Sequence, residues 1–141
     1  MPRVLIITLC DDIREEVAGK LSLMGLFNQF RVADFRNPMP AFWIYARVEF
    51  EQPGDYEIRT ELRTVEGHGI FQLRGLAQLR PIAAPPDPQA SLALPTADLK
   101  FKIDNLTLPR DGLYEIALFY DDQLLQTLQI EAVVQRPGFL Q

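Results

Sequence analysis

The sequence contains few of the residue types that build reactive centres. Its 141 residues include a single cysteine, Cys10, and a single histidine, His68. One cysteine cannot form an internal disulfide, and a structural zinc site needs about four cysteine or histidine ligands. We therefore expect no metal ion, no cofactor and a cytoplasmic location, where thiols stay reduced.

Positive charge is also scarce, because 14 lysines and arginines stand against 19 acidic residues and give a net charge of −5. The chain has no local cluster of basic residues. Proteins that bind nucleic acids rely on such clusters to neutralise phosphates. We expect no nucleic-acid partner.

Long hydrophobic runs are missing as well. The apolar run at residues 4–10 has seven residues and is followed by Asp11 and Asp12, whereas a membrane-spanning helix needs about 20. No small-residue cleavage site follows the run, so we do not interpret it as a signal peptide. We predict a first strand covered on both faces, and no membrane association.

The remaining composition is typical of a globular protein, with 48% hydrophobic and 23% charged residues, and the length favours one domain over residues 1–141. Two acids three residues apart form a capping pattern that predicts a short helical turn near residues 12–18. Four prolines without periodicity at residues 81–91 predict a surface crossover. Residues 136–141 form a short tail.

Strict alternation of apolar and polar residues indicates β-strands over most of the chain. One inward row comprises Tyr56, Ile58, Thr60, Leu62 and Thr64. We predict that this strand pairs with residues 71–79 across a two-residue turn at Gly67 and His68. That register places Thr64 opposite Phe71.

The last long stretch, residues 111–134, predicts a second hairpin around two adjacent aspartates. Its apolar rows are Tyr114, Ile116, Leu118 and Tyr120, followed by Leu124, Leu128, Ile130, Ala132 and Val134. A two-residue turn would place these rows on opposite faces. A loop with an odd number of residues, or a bulge, instead pairs Tyr120 with Leu124. It also pairs Ile116 with Leu128, and we predict the odd loop.

A five-residue motif occurs twice, as G-D-Y-E-I at residues 54–58 and as G-L-Y-E-I at residues 112–116. Each copy follows a turn that contains proline. A tyrosine in this position can bury its ring and return its hydroxyl to nearby backbone, as in the tyrosine corner of Greek-key sandwiches. Tyr114 is the better candidate for such a corner.

The opening sequence combines C-D-D at residues 10–12, E-E at 15–16, G-K-L-S-L at 19–23 and G-L-F at 25–27. This block resembles a group of small bacterial proteins of unknown function, in which a C-D start and a G-K-L-S-L-x-G block precede an immunoglobulin-like sandwich. The late G-x-Y-E-I strand is similar too. The resemblance implies a fold and supplies no catalytic residues. Together with the alternating strands, it predicts an all-β, immunoglobulin-like antiparallel β-sandwich of about seven to nine strands.

The strand at residues 42–51 gives the strongest indication of a binding surface. Trp43, Tyr45 and Arg47 share the face of this strand that is predicted to point away from the core. Exposed aromatic rings beside charges can stack on a sugar or anchor a protein partner. The alternative is that the N-terminal segment or residues 81–91 cover the two rings.

The other polar residues favour structural roles. His68, at a predicted hairpin tip, is a solvated turn residue, and Cys10, at the end of an apolar strand, is an inert core thiol. A cluster of acids can supply the oxygen ligands of calcium, but we favour helix capping and solvation. The acids concerned are Asp11, Asp12, Glu15, Glu16, Asp121 and Asp122.

These observations favour a non-catalytic, cytoplasmic interaction module that contacts a protein partner or a second copy of itself. Two alternatives remain open, because the fold alone does not choose among them. A carbohydrate-binding module requires the rings of Trp43 and Tyr45 to be exposed and coplanar. An enzyme of unrecognised type requires His68 or the acids to line a concave pocket.

Overall fold

The computed structural model describes residues 1–79 and 94–135, and this part of the chain holds nine strands and one short 3-10 turn. The strands are β1 (Arg3–Glu15), β2 (Leu21–Phe27), β3 (Gln29–Val32), β4 (Phe42–Glu49), β5 (Gly54–Thr64), β6 (Gly69–Leu79), β7 (Thr96–Ile103), β8 (Gly112–Tyr120) and β9 (Gln123–Val134). No helix in the described residues is long and apolar enough to cross a membrane. The predicted crossover at 81–91 and tail at 136–141 lie outside the described residues.

The strands form two sheets, ordered β2-β1-β4-β7 and β3-β9-β8-β5-β6. Their inner faces pack on one core that includes Ile44, Ile58 and Leu62, so the inward row predicted for β5 is confirmed. All paired strands are antiparallel except β3 and β9. The predicted all-β, immunoglobulin-like sandwich is confirmed, with one parallel pair. Alternation did not reveal this pair because it does not depend on the direction of the neighbouring strand.

The first strand departs from the prediction in two ways. β1 is not covered on both faces, since Leu5 and Ile6 are exposed. Residues 12–15 also continue the strand and pair with β2 instead of forming the predicted helical turn. Cross-strand pairing outweighs the local capping signal here, and only Val17–Gly19 forms a 3-10 turn.

The β5–β6 hairpin is confirmed, but its register is shifted by two residues because Leu62, rather than Thr64, lies opposite Phe71. The predicted two-residue turn is wrong, since Thr64 closes a longer loop. Its carbonyl oxygen accepts a hydrogen bond from the amide of Gly67 at 2.9 Å. Its hydroxyl accepts another from the amide of His68 at 3.1 Å. Gly67 has the predicted positive φ, 96°, and a shift of two keeps the same residues facing inward.

The β8–β9 hairpin corrects the predicted odd loop. Its turn has two residues, the adjacent aspartates, whose φ values of 50° and 65° suit the tight turns of β-hairpins. Tyr120 therefore lies opposite Gln123 rather than Leu124. A bulge farther along then shifts the register by one residue, so Ile116 still lies opposite Leu128 as predicted.

Tyr114 forms the predicted tyrosine corner. Its ring is buried, and its hydroxyl donates a hydrogen bond to the carbonyl of Arg110 at 2.6 Å. Tyr56, the equivalent residue in the repeated motif, donates in the same way to the carbonyl of Gln52 at 2.8 Å, but it is only half-buried. The repeated motif thus corresponds to a repeated way of closing the preceding turn.

Candidate interaction surface

β4 lies inside the four-stranded sheet and places Trp43, Tyr45 and Arg47 on the outer face of that sheet. Each of the three has one neighbour on β1 and one on β7. The cross-strand rows are Cys10–Trp43–Lys102, Thr8–Tyr45–Lys100 and Ile6–Arg47–Asp98. Because directly opposed residues share a face, these nine side chains form one surface.

Tyr45 is the buried centre of this surface. It is 3% exposed, and its hydroxyl donates a hydrogen bond of 2.5 Å to Oδ1 of Asp98. Burial, and then the hydrogen bond to Asp98, raises the pKa of Tyr45 to about 12. Nε of Arg47 donates to the same Asp98 oxygen at 2.8 Å. Burial acts to raise the pKa of Asp98, but the hydrogen bonds from Arg47 and Tyr45 hold it below its usual value.

An ion pair links the end of the N-terminal strand to the row that contains Tyr45. Glu15, at the end of β1, forms an ion pair with Lys100, the β7 neighbour of Tyr45. The end of β1 therefore reaches the outer face of the sheet beside Tyr45. The carbohydrate alternative needs two exposed rings, and Tyr45 does not meet that requirement.

Trp43 is only half-buried and borders apolar side chains. On one side, Nζ of Lys102 lies 5.9 Å from the centre of its ring. On the other side lies Cys10, which is fully buried. Leu26 of β2 lies opposite Cys10 in the same row, and 63% of its surface is exposed. Ile6, on the same face of β1, is 42% exposed. We call Ile6, Leu26 and Trp43 the outer patch.

Ion pairs border the outer patch. Besides Glu15–Lys100, they are Arg47–Asp98 at 2.8 Å and Arg3–Glu49 at 2.9 Å. An apolar centre inside a charged border is the usual composition of a protein interface. Sequence reasoning identified Trp43 but missed Ile6 and Leu26. Residues 4–10 are almost uniformly apolar, and a run without alternation does not indicate which face is open.

The remaining candidate residues do not come together. His68 is exposed in the β5–β6 loop, in a different sheet from Cys10. Burial, followed by the charges of Asp11 and Asp12, raises the pKa of the Cys10 thiol. Within residues 1–79 and 94–135, no three His, Cys, Asp or Glu side chains are close enough to hold a metal ion. The acids considered for calcium are spread over β1, the turn after it and the β8–β9 turn.

A second cluster, which sequence reasoning did not identify, lies on the outer face of the five-stranded sheet. Arg59 lies over the ring of Phe119 at 4.4 Å from its centre, and Arg63 lies 5.6 Å from the same centre. Arg63 also donates a hydrogen bond of 2.6 Å to Glu115. The cluster borders a cleft of about 400 Å³ beside Asp122. These side chains contact one another across two strands, so we interpret the cluster as a network that stabilises the sheet.

Comparison with known proteins identifies one family. A family described as "Family of unknown function (DUF6941)" matches residues 5–133. No curated protein matches the chain significantly.

Three solved structures illustrate what the chain is similar to. One is an immunoglobulin-like protein from Pseudomonas aeruginosa, with 15% identity and a TM-score of 0.45 over 94% of this chain and 97% of that one. Another is an alkylpurine DNA glycosylase from Pseudomonas fluorescens bound to DNA containing an abasic site analogue, with 7% identity, a TM-score of 0.48, and coverage of 94% and 30%. A third is a β-glucosidase from Listeria innocua in complex with gluconolactone, with 7% identity, a TM-score of 0.44, and coverage of 90% and 16%. The chain thus spans only a small part of the glycosylase and of the glucosidase.

Proposed function

The chain belongs to the DUF6941 family, whose function is unknown, and we propose that it is a non-catalytic interaction module of the bacterial cytoplasm. It binds a protein partner through the outer patch. The observation that carries this proposal is the exposure of Ile6 and Leu26 beside the half-buried Trp43 on one open sheet face.

Trp43 is suited to anchor such a partner because its surroundings fix the ring before contact. Cys10 is buried beside it, and the ammonium of Lys102 lies within cation–π distance of the ring. Two residues farther along β4, Tyr45 links β4 to Asp98 of β7 through a partly buried hydrogen bond. A partner that covers the ring gains apolar area at a small cost in side-chain entropy, which is one reason tryptophan is common among interface hot spots.

The non-catalytic part of the proposal is supported by the two side chains with the most reactive chemistry. Cys10 is fully buried, and its raised pKa disfavours the nucleophilic thiolate. His68, which is exposed in a loop of the other sheet, is not placed to deprotonate it.

A comparative capture experiment tests the proposal. The tagged wild-type protein, Trp43→Ala, Ile6→Lys and a control variant, Leu113→Lys, are used to capture proteins from native cells, with quantification by mass spectrometry. Leu113 is a matched control because it is 50% exposed, against 42% for Ile6, and lies on β8 in the other sheet. We expect a partner that the wild type and the control retain. Trp43→Ala should reduce its affinity about 30-fold, since a hot spot contributes about 2 kcal/mol or more.

Melting temperatures of the same variants separate binding from folding. The proposal expects Trp43→Ala and Ile6→Lys to melt close to the wild type while losing the partner. Equal capture by all four proteins would contradict it. If Trp43→Ala unfolds, Ile6→Lys alone decides, because an exposed isoleucine contributes little to the core.

A further inference from the structure

The first two strands extend beyond the rest of the sheet to which they belong. β1 pairs with β4 only as far as Cys10, which lies opposite Trp43. In the described part of the chain, residues 12–15 have no strand partner except residues 21–24 of β2. These two segments and the turn between them form a two-stranded hairpin at the end of the four-stranded sheet. We call residues 11–25 the arm.

The arm is only lightly attached to the rest of the protein. None of its residues is buried. Its half-buried apolar side chains, Ile13, Leu21 and Leu23, do not pack against the described central core. Among the described residues, its one ion pair with the rest of the chain joins Glu15 to Lys100 of β7. Segments with so few buried contacts move at a low cost in free energy.

The contact between Glu15 and Lys100 requires the arm to turn back over the outer face of the sheet. Thr8 lies in the same cross-strand row as Lys100, two strands away, and Glu15 lies seven residues beyond Thr8. If the sheet were flat and β1 straight, the Cα atoms of Glu15 and Lys100 would be about 25 Å apart. The two side chains together span only about 14 Å at full extension. The end of β1 therefore bends across β4 towards β7.

Gly25 lies where the arm leaves the sheet. Its φ is 69°, a conformation that favours glycine. The pairing of β1 with β2 is interrupted between Asp11 and Gly25, and a Cβ atom on Gly25 would overlap the carboxylate of Asp11. Hinges commonly consist of a few residues at the end of an element. The interrupted row places such a hinge at the base of the arm.

Burial on the outer face follows the path of the arm. From Cys10 at its base to Lys100 at the contact point, the path crosses β4 beside Trp43 and Tyr45. Cys10 is fully buried and Tyr45 is 3% exposed, whereas Ile6, one row farther from the arm than Tyr45, is 42% exposed. The arm thus lies against the part of the face that carries Trp43.

We infer that the arm is a flap, held closed by the Glu15–Lys100 ion pair, that limits the access of a partner to Trp43. The inference rests on the proposed function, because it assigns a regulation to the same surface. Both side chains of the pair reach solvent, with 68% of Glu15 and 32% of Lys100 exposed. An exposed ion pair changes an equilibrium by no more than about fivefold. The flap therefore opens readily, and salt, which screens the pair, favours the open state.

Acrylamide quenching of Trp43, the only tryptophan of the chain, tests the flap without a partner. The variants are Glu15→Lys, Lys100→Glu, the double variant that exchanges the two charges, and Glu66→Lys as a control. Glu66 is matched because its side chain is 54% exposed and pairs with Arg110, and it lies in the loop between β5 and β6 of the other sheet. Acrylamide is uncharged, so the substitutions do not change its concentration near the protein.

Each single reversal replaces attraction by repulsion and should shift the arm towards the open state by about fivefold or more. Because the ring of Trp43 is half-buried, its quenching constant should then rise and roughly double. The double variant should return to the wild-type value, and Glu66→Lys should not differ from it. Sodium chloride should raise the quenching of the wild type.

Several results would overturn the inference. They are equal quenching of the wild type and both single variants, a double variant that does not recover, and an increase in Glu66→Lys as large as in Glu15→Lys. If the single variants fail to fold, the wild type decides, because quenching that rises with salt supports the flap and constant quenching overturns it. These measurements need no partner, so the flap can fail while the capture experiment succeeds. The expected quenching without any captured partner contradicts the proposed function instead.

Discussion

At the scale of single residues, the different positions of Trp43 and Tyr45 determine what the surface can bind. Alternation along β4 correctly predicted that the two rings share a face. It could not predict that Tyr45 is buried, because the contacts around this row, such as the ion pair between Lys100 of β7 and Glu15 at the far end of β1, are long-range. Lys100 and Glu15 are 85 positions apart in the sequence. The alternation of neighbouring residues cannot reveal a contact over such a separation.

The hydroxyl of Tyr45 gives the first prediction. Tyr45→Phe removes the donor to Asp98 and should lower the free energy of unfolding by about 2 kcal/mol, as expected for a partly buried hydrogen bond to a charged group. Denaturant titration at pH 7 measures the change. An unchanged unfolding free energy would mean that Arg47 alone satisfies Asp98.

The raised pKa of Tyr45 gives a second prediction, on the pH dependence of stability. Folding raises this pKa from 10.0 to about 12, so the folded state holds the proton more tightly than the unfolded state. The stabilising contribution is therefore complete below pH 10 and is lost as the pH rises through 12. The difference in unfolding free energy between the wild type and Tyr45→Phe should shrink over this window, as followed by denaturant titration. If the difference in unfolding free energy stays constant over this window, the raised pKa of Tyr45 is contradicted.

At the scale of strands and hairpins, the sequence predicted which face of a sheet each residue occupies. It was less successful at predicting which residues lie opposite each other. In the β5–β6 hairpin the predicted inward row of β5 lies on the core face, although the register was wrong by two. A shift of two positions leaves the alternation unchanged, so the pattern cannot detect it. In the β8–β9 hairpin the predicted turn length was wrong. The bulge compensates for this error, so Ile116 still lies opposite Leu128. Turn hydrogen bonds, such as those to Thr64, set the register, and they become visible only in three dimensions.

The two tyrosines of the repeated motif give a third prediction. Tyr114→Phe should destabilise the protein by about 1 to 2 kcal/mol, because it removes the hydroxyl by which the buried Tyr114 donates to the carbonyl of Arg110. Tyr56→Phe should cost less, since water can reach the half-buried site. Thermal and denaturant unfolding of the two variants give the comparison. Equal losses would contradict the different burial of the two corners.

The approach of β6 to β7 gives a fourth prediction. A Cβ atom on Gly75 would lie 2.9 Å from the ring of Phe101, whereas one on Gly69, in the same strand, would meet nothing within 4 Å. Gly75→Ala should therefore destabilise the fold by about 1 to 3 kcal/mol. Gly69→Ala should change the unfolding free energy by less than about 0.5 kcal/mol. Equal melting temperatures for Gly75→Ala and Gly69→Ala would contradict this prediction. They would show that β6 and β7 can move apart without a loss of stability.

At the scale of the whole molecule, the strand pattern together with the family resemblance predicted the two-sheet architecture, but not the full binding surface. Sequence reasoning interpreted residues 4–10 as buried on both faces, whereas β1 has one face on the core and one on the open side of the four-stranded sheet. Ile6 reaches the surface for this reason, and Leu26 of β2 lies in the same cross-strand row as Cys10 and Trp43. An open sheet face that carries Trp43 beside them is the property from which we infer an interaction role.

Site-specific photo-cross-linking in native cells tests that role most directly. A photoreactive residue replaces Ile6 in one variant and Leu113, the exposed residue on the other sheet, in a second. If the outer patch binds a protein partner, irradiation should give a discrete cross-linked species from position 6 and none from position 113. Cross-links from position 113 alone, or none from position 6, would contradict the proposed surface.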